Sequence, residues 1–174
     1  GYECAGTVKA VGENIKHIKV GDAVSTIPNF SMNQYGSYAE LTNMPITAVT
    51  PHPENLSWEQ ATSVWMQYLT AYGALIDIAK MKADDFVLIP AASSSVGLAA
   101  IQLCNLMGAT PIAMTRTVDK VEQLHQLGAE HVIISEQDDV VDAVMAITED
   151  RGVNIVFDPV AGPMLSKLAE ACAP

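Results

Sequence analysis

The sequence is short of positive charge, cysteine, aromatics and long apolar runs, and each shortage excludes something. Of 174 residues only 9 are Lys or Arg against 20 Asp and Glu, giving a net charge of −11, and just two, Arg116 and Arg151, are arginines. Nucleic-acid binding needs clustered cations against phosphate, so this balance argues against it. A polyanionic small molecule would have to be held by backbone amides and very few cations. Cys4, Cys104 and Cys172 lie 100 and 68 residues apart and draw neither a CxxC metal pair nor a disulfide framework. A reducing cytoplasm fits, with each cysteine a small buried apolar residue. No apolar run approaches the ~20 residues of a bilayer span, and Gly1 to Ala10 lacks the basic start and apolar middle of a signal peptide. Neither membrane nor export is expected. His17, His52, His125 and His131 show no metal spacing and read as structural or surface histidines.

What is present is an apolar, globular composition, with 49% hydrophobic and 17% charged residues. The first part is strand-like: Glu3 to Val11, Ala23 to Ile27, Ser37 to Leu41 and Ile46 to Val49 are short β candidates broken by Gly, Pro and Asn. Ser57 and Gln60 then form an S-x-x-Q capping box that opens a helix. After Asp85 the pattern alternates. Strands are expected at Phe86–Ile89, Pro111–Met114, His131–Ile134 and Val153–Phe157. The helices between and after them run from Val96 to Met107, from Val118 to Leu127, through Val140, Val144 and Ile147, and from Pro163. Strands alternating with helices make right-handed βαβ units and an open parallel sheet, whose ligands bind at the carboxyl ends of the strands.

The first such loop, Pro90 to Ser95, reads PAASSS between a buried strand and a helix. Its small residues would let a pyrophosphate approach the helix N-terminus at Ser93, Ser94, Ser95 and Val96, with its free N–H groups and positive dipole end. Ala92, Ser94 and Gly97 occupy the three glycine positions of G-x-G-x-x-G, so the strict motif fails. At the end of the second strand, where NAD-binding sheets place an acid on the ribose hydroxyls, stand Thr115, Arg116 and, one turn later, Lys120. An acid would repel a 2′-phosphate, whereas these groups would bind it, so NADPH is the cofactor inferred. Asp158, before Pro159, is as readily a turn former as a ligand contact.

Together these segments resemble the medium-chain dehydrogenase/reductase superfamily, in its zinc-free quinone oxidoreductase-like branch. GYECAGTVKAVG is similar to GHExxGxVxxVG, KVGDAV to GDxV, GSYAEL to GxxAEY, LTAYGAL to LTAxxAL, AASSSVGLAAIQL to AAxGGVGxxAxQLA, and GVNIVFDPVAG to GxDVVxDxVGG. The resemblance implies an α/β chain: a partial GroES-like β-barrel with connecting helices (1–79), then a partial Rossmann doubly wound parallel sheet (80–174), with family members continuing at both ends. It implies hydride transfer from NADPH to a quinone or an activated alkene or carbonyl, and a homodimeric full-length protein in the cytoplasm. Thr70 is then expected on the nicotinamide side and Val160 and Gly162 near its ribose, while Tyr2 and Tyr68 are pocket candidates for which packing with a satisfied hydroxyl is the preferred reading. Tyr2 stands where zinc-dependent members have a His ligand, and TIPNFSMNQYG has no cysteine for a structural zinc lobe, so no metal is expected. No catalytic acid is identified. A zinc-type alcohol dehydrogenase and a non-catalytic NADPH-binding module are the alternatives.

Overall fold

The computed structural model describes residues 1–174, which divide into two compact units, Gly1–Gln67 and Tyr68–Pro174. In the first, strands β1 (Ala5–Thr7), β2 (Ala23–Thr26) and β3 (Val49–Pro51) form an antiparallel sheet in that order. The Thr26 hydroxyl fixes the chain start, accepting from the Cys4 amide at 2.9 Å and donating to the Tyr2 carbonyl at 2.8 Å. One expected strand is absent, one is displaced, and the expected Glu3–Val11 strand is reduced to Ala5–Thr7. Ser37–Leu41 is a series of bends with Tyr38 and Leu41 largely exposed, since alternation makes a strand only where a neighbour accepts its ladder. Ile46–Ala48 is a turn of 3₁₀-helix, and pairing begins one step later, at Val49 opposite Thr26.

Helix α1 (Trp58–Tyr72) opens with the expected capping box. The Ser57 amide donates to Gln60 Oε1 at 2.9 Å and the Gln60 amide to Ser57 Oγ at 3.2 Å. This satisfies two N-terminal donors reciprocally. The helix runs into a π-helical turn at Gly73–Ile78.

In the second unit four parallel strands lie in the order β6-β5-β4-β7: β4 (Phe86–Ile89), β5 (Thr110–Thr115), β6 (His131–Ile134) and β7 (Ile155–Val156). In order of appearance that is third, second, first, fourth, the doubly wound order. Strand alternation sends side chains to two cores. Val87, Ile89 and Ala113 join Leu75, Ile101, Cys104 and Leu124 in one. Leu88, Ile112, Met114 and Ile133 join Val144 and Leu168 in the other. Burial pushes the Cys104 thiol up to about 12, and its Sγ sits 3.7 Å from Met81 Sδ, so it is an inert core group. Cys4 is half-buried and Cys172 exposed, which departs from the expectation that all three are buried.

Helix α2 (Ser95–Met107) ends where the sequence expects. Gly108 adopts φ 76° as its cap, a left-handed conformation that glycine takes without steric cost. Helices α3 (Val121–Gln126), α4 (Val140–Thr148) and α5 (Leu165–Glu170) follow their strands, with α3 preceded by a 3₁₀ turn over Val118–Lys120 that shortens the expected helix. The fourth strand is also shorter than expected. Val153 instead forms a parallel bridge with Cys172, while the Asn154 and Phe157 amides donate to β4 carbonyls either side of the two paired residues. No helix is long and apolar enough to cross a membrane.

Candidate functional site

Loops at the carboxyl ends of β4, β5, β6 and β7 converge on a cavity of about 690 Å³. This is where an open parallel sheet binds ligands, within the size range of small-molecule sites. Its walls are Pro90, Ala91, Met114, Met164 and Leu168 on the apolar side. Ser93, Ser94, Thr115, Arg116, Thr117, Lys120, Ser135 and Asp158 supply polar groups, and Val160 and Ala161 complete the lining.

The β4-to-α2 turn is tightly held. The Ala92 amide donates to the Met114 carbonyl of β5 at 3.1 Å, and Ala91 takes φ 48°. Ser94 is the helix N-cap, its Oγ accepting from the Gly97 amide at 3.2 Å. One serine hydroxyl expected to face a phosphate is therefore partly committed to capping. The Ser95 and Val96 amides have no partner within the chain, so two N–H groups at the positive end of a 13-residue helix remain available to an anion. Gly97 is the one glycine of the fingerprint retained, and the reason is contact. A Cβ there would lie 2.6 Å from the Ala92 carbonyl oxygen, so only glycine lets helix and turn approach this closely.

At the end of β5, Thr115 is buried while Arg116 and Lys120 are exposed. Ion pairs form at Lys19–Asp22 and Lys167–Asp139, and neither involves Arg116 or Lys120. The other arginine is employed differently. Arg151 Nε donates to the Thr148 carbonyl at 3.0 Å, and its guanidinium lies 5.2 Å from the Phe86 ring centroid, closing the end of α4. A chain with twice as many acids as bases thus leaves two cations unpaired beside one cavity.

The structure therefore gathers Ser93, Ser94, Thr115, Arg116, Lys120 and Val160 around one space, with Ser95 and Val96 following in α2 and Gly162 following Ala161. Tyr68 and Thr70 are on α1 and do not line it. The Tyr68 hydroxyl donates to Gln102 Oε1, the packing role weighed for it. Tyr2 belongs to the first unit, half-buried with its ring 5.4 Å from Phe30, which stands 6.5 Å from Tyr35. Sequence reasoning missed Ser135, and it selected the loop Thr115 to Thr117 without singling out Thr117 as a contact. Ser135 immediately follows β6, and the carboxyl-end rule that selected the other loops applies to it equally. Asp158 accepts the Val160 and Ala161 amides at 2.9 and 3.0 Å, the turn-forming role. No three His, Cys, Asp or Glu side chains converge as metal ligands.

Residues 95–174 match the family described as zinc-binding dehydrogenase. Among solved structures, the fold superposes on CurK enoyl reductase with TM-score 0.86 and 29% identity, covering 100% of this chain and 51% of that one. It superposes on Escherichia coli quinone oxidoreductase complexed with NADPH with TM-score 0.83 and 29% identity, covering 99% and 52%. The squalestatin tetraketide synthase of Cochliobolus lunatus is 35% identical over 99% of this chain and 7% of its own length. The chain thus spans about half of each of those two solved chains and a small part of the synthase.

Proposed function

Because this chain belongs to the medium-chain dehydrogenase/reductase superfamily, we propose that it is part of an NADPH-dependent reductase that delivers hydride to an activated alkene or a quinone without zinc. In this reading residues 1–79 are part of the catalytic domain and 80–174 the first part of the nucleotide domain. The observation that carries it is the pair of unpaired cations, Arg116 and Lys120, lining one cavity with the β4-to-α2 turn. When bound, NADPH supplies the hydride. The chain's residues supply binding and orientation. Arg116, Lys120 and Thr115 take the 2′-phosphate, the Ser95 and Val96 amides with the α2 dipole take the pyrophosphate, and Ser93 borders it. Thr70, Val160 and Gly162 are assigned to the nicotinamide end.

The donor set does not fit zinc. Tyr2 offers a neutral phenol at the expected ligand position, a poor ligand beside imidazole or thiolate, and residues 27–36 contain no cysteine. The enoyl reductase among the structural likenesses favours an alkene conjugated to a carbonyl as acceptor. The full-length protein is read as a homodimer in the cytoplasm, acting on a small molecule.

Paired titrations of the full-length protein with NADPH and NADH test the cofactor. NADPH is expected to bind at least tenfold more tightly, since each charge-assisted contact contributes about 1.5–3 kcal/mol. Equal affinities would sink the proposal. Turnover of a quinone, enone and aldehyde panel separates a reductase from a non-catalytic NADPH-binding module. Elemental analysis after dialysis checks zinc, where one metal per chain, lost together with activity on chelation, would favour the alcohol dehydrogenase alternative.

A further inference from the structure

The loop after β7 contains a backbone conformation that its sequence resists. Ala161 has φ 57° and ψ −152°, a region that essentially only glycine occupies, and it lines the cavity beside Val160. Such a conformation persists only where its surroundings over-determine it. Here the restraint is visible. Both oxygens of the Asp158 carboxylate are engaged, Oδ1 by the Val160 amide and Oδ2 by the Ala161 amide. Beyond the loop, α5 is anchored by buried Leu168 and by the 2.8 Å Lys167–Asp139 pair, and before it β7 is paired to β4. A segment serving only to join β7 to α5 could relax Ala161 by giving up those two hydrogen bonds. Instead the carboxylate holds the alanine in the unfavoured geometry at the cavity wall.

We propose that Asp158 is a positioning residue, whose carboxylate clamps Val160 and Ala161 into a preset wall for the ligand of this cavity. The identity of that ligand as NADPH rests on the function proposed above. The clamp and the alanine are a coupled pair. Without the clamp, Ala161 relaxes away and the wall is lost, whereas a glycine at 161 adopts the same φ and ψ without it.

The test is a double-substitution cycle in the full-length protein with two readouts, NADPH affinity by nicotinamide fluorescence and the melting temperature without ligand. Asp158→Ala is expected to weaken NADPH binding at least tenfold. Adding Ala161→Gly in that background should restore affinity to within about threefold of the original, a rescue that a merely structural aspartate would not show. In melting, Ala161→Gly should raise the midpoint more when Asp158 is present than when it is Ala, because the strain exists only under the clamp. Unchanged affinity in Asp158→Ala, no recovery in the double variant, or additive melting shifts would each overturn the proposal. If the unsubstituted protein binds no NADPH, the cofactor reading fails, and the melting cycle decides the clamp alone: non-additive shifts support it and additive shifts overturn it.

Discussion

The two units of this chain are held together by different means. Every large side chain that is fully buried, from Leu75 through Leu88, Ile112 and Ile133 to Leu168, lies in the second unit. In the first, the buried groups are Ile18, two alanines and the polar pair Ser25 and Thr26. Hydroxyls there do the joining: Trp65 Nε1 donates to Ser25 Oγ at 2.9 Å, and Thr26 bonds the chain start at both Cys4 and Tyr2. An apolar core tolerates the loss of one contact in proportion to the volume removed. A hydrogen-bonded joint fails differently, since removing one partner leaves the other unsatisfied.

Four substitutions sharpen or break that contrast. Leu88→Ala, at the centre of the parallel sheet, should cost about 2–5 kcal/mol, read as a fall in denaturation midpoint. Arg116→Ala should weaken NADPH by tenfold or more, about 1.5–3 kcal/mol, with no change in melting temperature, whereas Arg151→Ala should lower the melting temperature and leave affinity unchanged. If the two arginines behave alike, the division between a binding and a capping arginine is wrong. Thr26→Val should cost about 1–3 kcal/mol in the first unit while leaving the second unit's amide-exchange protection intact, and an effect equal to Leu88→Ala would erase the contrast.

The smallest effect concerns pH. The Lys167 ammonium and the Asp142 and Val141 amides hold the Asp139 carboxyl below its usual range, and Asp139 in turn holds Lys167 above its own. A depressed carboxyl stabilises the fold above roughly pH 4 and loses that contribution as pH falls through its folded value. A raised lysine stabilises below roughly pH 10 and loses its contribution as pH rises through its folded value. The melting difference between the protein and Lys167→Met should therefore be flat between those limits and shrink outside them.

The second unit was legible because its apolar periods report real burial. Phe86–Ile89 is a continuous apolar run covered on both faces, and Gly108 ends α2 at the residue where helical spacing stops. The capping box was legible for a related reason, since Ser57 and Gln60 satisfy each other locally and need no tertiary partner. Ser37–Leu41 misled because strand formation is decided by a neighbouring strand, which no local pattern encodes. Asp158 was read evenly between two roles, and only the geometry shows both oxygens occupied. Alanine itself gives no sign of the positive φ at Ala161, but the pattern GxDVVxDxVGG has glycine where this chain has Ala161, a departure that went unread. Ser135 was within reach and was passed over, its position after β6 being as informative as that of Thr115 after β5.

The unpaired cations at the mouth of the cavity separate how fast an anion arrives from how firmly it is held. At long range a ligand carrying negative charge meets the field of a chain of net −11, which slows encounter. Within a Debye length, about 8 Å at physiological salt, it meets Arg116, Lys120 and the free amides of α2. Added salt screens the distant repulsion first and the close contacts less, so association should quicken with moderate ionic strength while dissociation quickens only at higher salt. For such a site an affinity measured at one ionic strength conceals two opposing trends, and only the separate rates reveal them.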